Sequence, residues 1–196
     1  MSTSARLFIF AIICVISVYL FSTVVNRGFK KINLNTALLY VSSVAMIGVL
    51  GEIFVDTIYN SLFGTPLWRY NFLPIYNAYT SQFSPILWGS FGLYLYLVHK
   101  DYKKWSRRQL INLAFVFSLE AIVIEAVADI AAIPILGDLI YYYYPDNLWH
   151  VSALQNIPFY FLSGILIVET LYNFKASPRF FTVLSAWITI IVVFFV

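Results

Sequence analysis

Six apolar stretches, at 7–25, 36–59, 83–99, 110–133, 157–174 and 180–196, are joined by loops whose basic residues alternate in abundance. Each is close to the ~20 residues that a helix needs to cross the hydrocarbon of a bilayer. The loops after the first, third and fifth stretches hold Arg27, Lys30 and Lys31, then Lys100, Lys103, Lys104, Arg107 and Arg108, then Lys175 and Arg179. The opposite side has only Arg6 and Arg69. Basic loops stay in the cytoplasm, so both termini are expected on the non-cytoplasmic side. The expected fold class is all-α: a polytopic transmembrane helix bundle of about six helices, one domain over 1–196.

Composition closes the alternative of a water-soluble fold. The chain is 61% hydrophobic and 11% charged, against roughly 25% charged in soluble domains. The first stretch exceeds the roughly 7–15 residue core of a signal peptide, and no A-x-A site follows it, so it reads as an anchor. Cys14 is the single cysteine, which rules out an intrachain disulfide and a cysteine metal cluster. No basic patch suits nucleic acid, and the expected surroundings are the membrane lipid bilayer.

The chain also resembles itself. Residues 73 positions apart match at Glu52 and Glu125, Asp56 and Asp129, Gly64 and Gly137, and Tyr70 and Tyr143. The same offset pairs Gln82 with Gln155, Pro85 with Pro158, and Ser90 with Ser163. Polar and turn residues are rare here, so their shared spacing points to a duplicated helix-loop-helix unit, approximately 36–100 and 109–173. The two units would run in the same direction, giving a pseudo-two-fold axis along the membrane normal.

The repeated polar residues are the candidate site. Glu52 and Asp56 are four apart and share a helix face, as do Glu125 and Asp129. Ionisable groups in a membrane helix are costly and face the protein interior, so they mark function by default. These four carboxylates are the candidate catalytic residues. One of them could act as a general acid from an apolar pocket, or together they could hold a hard divalent cation such as Mg²⁺. The sequence identifies no cofactor and leaves a metal open.

Two aromatic loops, 60–82 and 134–156, follow these helices. Trp68, Arg69, Tyr70 and Asn71 in the first, and Tyr143, Trp149 and His150 in the second, are the candidate substrate-binding residues. Aromatic faces beside acids stabilise cations, although Trp and Tyr also gather at membrane interfaces without a ligand. No phosphate loop, GxSxG, HExxH or histidine cluster occurs, which disfavours an ATPase, a serine lipase, a zinc protease and a di-iron oxygenase.

At Thr80-Ser81, Trp88-Gly89 and Gly164 through Glu169, the chain resembles a family of small membrane proteins labelled ABC-transporter type IV. That family also carries a glutamate in the preceding helix, which matches Glu52 and Glu125. Asp56, Gly64, Trp68, Tyr70 and Asn71 resemble the helix end and loop of membrane lycopene cyclase domains. The resemblance to those duplicated helical units implies chemistry on an isoprenoid. The sequence departs from them at Ser84-Pro85-Ile86-Leu87-Trp88, where they carry paired glutamates. The expected function is an acid-catalysed lipid- or isoprenoid-modifying enzyme of the cyclase or isomerase type, acting on a lipid-like or small-molecule ligand. The alternatives are a small transporter or substrate-binding component, or a structural subunit with a membrane-protein partner.

Overall fold

The computed structural model describes residues 2–99 and 107–195. Lys100, Lys103 and Lys104 of the expected basic loop lie outside the described residues. The helices are α1 (Thr3–Val25), α2 (Leu34–Phe63), α3 (Ser84–Val98), α4 (Arg107–Leu136), α5 (Asn156–Phe174) and α6 (Pro178–Phe194). The all-α membrane-type bundle is therefore present, with a helix at each of the six apolar stretches. Four helices, α1, α2, α4 and α5, are long and apolar enough to cross a membrane. The other two are shorter, where six full spans were expected.

Local chemistry sets the helix ends. The side chain of Ser2 accepts from the Ala5 N–H, and that of Asn33 accepts from the Thr36 N–H, which caps α1 and α2. Prolines sit in the first turns of α3 and α6, where a missing N–H costs nothing. Gly64 and Gly137 follow α2 and α4 at φ 73° and 89°. Both are in the left-handed region that glycine enters without a steric penalty.

α3 and the 17-residue α6 account for the lower span count, and α3 is the shorter. Its 15 residues reach about 22 Å at 1.5 Å each, less than the ~30 Å of hydrocarbon. The loop before it packs into the bundle, with Trp68, Tyr70, Thr80 and Ser81 buried. Strand β1 (Trp68–Tyr70) pairs antiparallel with β4 (Tyr141–Tyr143) from the other loop, in the register Trp68–Tyr143, Arg69–Tyr142 and Tyr70–Tyr141. Strands β2 (Pro74–Ile75) and β3 (Thr80–Ser81) form a second small pair within the first loop. Non-helical backbone at membrane depth is tolerated only where protein covers it. Both three-residue strands bury their outer two residues and expose the central one.

α2 packs against α3, α5 and α6, α4 packs against α5, and α1 packs against both α3 and α4. Two apolar cores result. One, at the loop end, gathers Leu7, Phe10, Leu67, Trp68, Leu136 and Tyr141. The other gathers Leu39, Val44, Phe91, Phe117, Ile167 and Leu171. Gly92 admits the close approach of α3 to α2: a Cβ there would lie 2.6 Å from the Tyr40 carbonyl oxygen. The Arg6 guanidinium donates to the Leu136 carbonyl, and the Tyr76 hydroxyl donates to that of Val192. Both ends of the chain thus lie at the loop end of the bundle.

Candidate functional site

Glu52 lies on the buried face of α2 at 7% exposure and is surrounded by donors. Its Oε1 accepts from the Tyr70 hydroxyl and from Trp88 Nε1 at 2.7 Å. Its Oε2 accepts from the hydroxyls of Thr80 at 2.5 Å and Ser84 at 2.6 Å. The descending loop supplies two of these four donors and the start of α3 supplies the others. The short strands therefore deliver hydroxyls to a carboxyl group buried between helices.

Glu125, on α4, has a parallel set. Its Oε1 accepts from the hydroxyls of Tyr143 at 2.5 Å and Tyr160 at 2.6 Å, and its Oε2 accepts from Ser152 at 2.6 Å. The Asn156 amide donates to the Tyr143 hydroxyl at 2.6 Å, which fixes that ring. Burial and the neighbouring glutamate push the phenols of Tyr70 and Tyr143 well above the ordinary tyrosine range. They therefore remain donors at neutral pH.

Three donors of each set correspond, with one change of offset. Tyr70 and Tyr143 stand 73 apart, as do the two glutamates. Beyond β1 and β4 the offset is 72: Thr80 and Ser152, and Trp88 and Tyr160, donate to the two glutamates, whereas Ser84 donates to Glu52 and Asn156, 72 on, donates to the Tyr143 hydroxyl. The change falls within the loops. Tyr76, Asn77 and Ala78 all have positive φ, as do Leu148, Trp149 and His150. These are matching left-handed turns, already at the shorter offset. Identities at an offset of 73 beyond this point, such as Gln82 with Gln155, do not mark like contacts. The strand ladder is unchanged when each residue is exchanged for the one 73 away, with Arg69–Tyr142 at its centre. A two-fold axis through that pair has this effect.

Both glutamates border one cavity of ≈ 30 Å³, lined also by Trp68, Tyr70, Trp88, Tyr141, Tyr143 and Tyr160. That is room for one or two water molecules. Sequence reasoning had singled out Glu52, Glu125, Trp68, Tyr70 and Tyr143, and the fold brings these five together. It had not assigned Trp88, Tyr160, Thr80, Ser84, Ser152 or Asn156 to the site. The shift from 73 to 72 hid their pairing, and no periodicity signals a hydroxyl that reaches a residue tens of positions away.

The aspartates do a different job. Asp56 Oδ1 accepts from the Leu67 N–H at 2.5 Å, and Asp129 Oδ1 accepts from the Ile140 N–H at 2.5 Å. Each is fully buried and ties down the loop that follows its helix. Neither borders the cavity, so the four carboxylates do not meet at one point. Among the described residues no group of three or more His, Cys, Asp or Glu side chains is placed to hold a metal ion.

The remaining candidates lie outside the cavity. Arg69 is the exposed centre of β1, with its guanidinium 5.9 Å from the Tyr144 ring. The Asn71 amide donates to the Leu139 carbonyl. Trp149 is 85% exposed. His150 stacks on Tyr142 at 4.5 Å and bonds the Tyr143 carbonyl through Nδ1 at 2.7 Å. These four support the ladder from the solvent side or face away from it. The chain matches no family model, no curated protein and no solved structure.

Proposed function

We propose that the chain is an integral membrane enzyme that modifies a lipid or isoprenoid by acid catalysis, of the cyclase or isomerase type. The observation that supports this most is the placing of two glutamates, from two different helices, on one aromatic-walled cavity inside an apolar bundle. A glutamic acid at either position would donate its proton to a carbon–carbon double bond, leaving a carbocation. Nearby Trp and Tyr faces would stabilise that cation. The other glutamate would then take a proton from an adjacent carbon. The net result is a moved double bond or a closed ring, with no oxidant or reductant consumed.

In this reading Glu52 and Glu125 handle protons, and Trp68, Tyr70, Trp88, Tyr141, Tyr143 and Tyr160 form the wall. Asp56 and Asp129 are positioning residues that hold the loops carrying Tyr70 and Tyr143. The matched donors support a duplicated unit whose halves each contribute one glutamate. The cavity's size favours a second reading, a small transporter that binds a cation or amine between the glutamates. The bias of Lys and Arg puts the loop end and both termini on the non-cytoplasmic side.

The test is mass spectrometry of total lipid from cells with and without the protein, and with Glu52→Gln or Glu125→Gln. A lipid that changes with the wild type and reverts with both variants, at equal protein levels, is the expected result. If no lipid changes, or if both variants act like the wild type, the enzyme reading fails and cation uptake is measured instead.

A further inference from the structure

We infer that the twin-glutamate cavity opens sideways into the bilayer between α2 and α5, and that its ligand enters as a slender apolar chain dissolved in the membrane. The inference rests on the proposed enzyme only for what happens to that chain after it arrives. On the loop side the cavity is closed: Trp68, Tyr70, Tyr141 and Tyr143 of the strand ladder are all buried. The half-buried lining residues belong to helices, among them Gly51 on α2, Glu125 on α4, and Phe159 and Ser163 on α5. Access therefore runs through the helix wall and not through the loops.

Two glycines one turn apart locate the gap. A Cβ on Gly48 would lie 2.1 Å from the Trp88 ring, so that position is filled. A Cβ on Gly51 would meet nothing within 4 Å, although Gly51 lines the same cavity. α5 touches α2 and brings Phe159 and Ser163 to the same cavity. The surface beside the gap is apolar: Phe54 is 66% exposed on α2, and Leu162 is 61% exposed on α5. On helices long enough to span a membrane, such residues face lipid tails. A water-borne ligand would have to cross that hydrocarbon to reach the gap, whereas a lipid chain is already there.

Cys14 is the only cysteine, so Cys14→Ala gives a background for single spin labels at Gly51→Cys and Ser163→Cys. The protein is placed in phosphatidylcholine vesicles, and each label is exposed in turn to oxygen, which concentrates in hydrocarbon, and to a water-soluble nickel chelate. Oxygen should relax both labels several-fold more than nickel does, and a Trp149→Cys label should show the reverse. Nickel access at 51 and 163 equal to that at 149 would overturn the inference. A measurement on the unsubstituted chain guards against a folding failure: a phosphatidylcholine with a diazirine in its acyl chain should cross-link to the peptide containing Phe159 and Ser163. Absence of that cross-link, with other α5 peptides labelled, also overturns it. Lipid access at these positions without any lipid change in the Glu→Gln comparison would leave the portal standing and remove the enzyme. The opposite pair of results would remove the portal alone.

Discussion

Glu52 and Glu125 occupy matching places in two hairpins but sit in cages of different quality. Glu52 is buried and receives four donors, one of them the indole N–H of Trp88. Glu125 is half-buried and receives three, all hydroxyls. A hydroxyl can reverse and accept, whereas an indole N–H can only donate. Trp88 and Tyr160 hold the same place in the two cages, and the helix behind each differs to suit. Gly48 makes room for the indole, while the residue 73 positions on is the buried Ala121. The indole N–H thus fixes one oxygen of Glu52 as an acceptor, whereas every donor to Glu125 can also accept. The two carboxyl groups therefore have different donor sets, through Trp88 against Tyr160 and Ser84 against Asn156.

The largest expected effect comes from emptying each cage. Glu52→Ala leaves four donors without an acceptor and should cost about 3 kcal/mol, while Glu125→Ala should cost about half that. Chemical denaturation in detergent micelles measures both, and equal losses would erase the difference between the cages. Next in size is Gly48→Ala, which drives a methyl group into the Trp88 ring and should cost about 1–3 kcal/mol by overpacking. Adding Trp88→Tyr should return most of that loss, because the pair then copies Ala121 and Tyr160. A double variant no more stable than Gly48→Ala alone would show that the cages are not interchangeable. The smallest effect is expected from Asp56→Asn and Asp129→Asn, under about 1 kcal/mol each. The amide oxygen can accept from Leu67 or Ile140 as the carboxylate oxygen does. Both variants should keep the lipid change that Glu→Gln abolishes, and loss of that change would place the aspartates back in the chemistry.

The helices were legible in the sequence because hydrocarbon imposes one demand on every spanning segment. Length and apolarity together mark α1, α2, α4 and α5 without knowledge of any contact. The plunge of the loops was not legible. A buried aromatic ladder and an interfacial aromatic belt have the same composition, and three residues such as Trp68–Tyr70 are too few to show a strand's alternation. The four carboxylates were found, but they divide by depth. A residue one turn nearer the helix end meets the loop backbone instead of the cavity, so Asp56 and Asp129 became clamps. Trp149, in the same loop as Tyr143, is carried outward by a left-handed turn, which composition does not signal.

The β1–β4 ladder also dictates an order of assembly. Its paired residues lie 71, 73 and 75 positions apart, so when α2, α3 and the first loop have been made, Trp68–Tyr70 has no strand to pair with. The Tyr70 N–H already bonds the Ala78 carbonyl within the first loop, but the groups of β1 that face β4 are then open, which is tenable only while water or another protein covers them. Each carboxyl cage is completed by its own loop, yet neither loop is sealed without the other. A chain truncated before Tyr141 would leave β1 without its partner strand and α2 without α5 and α6.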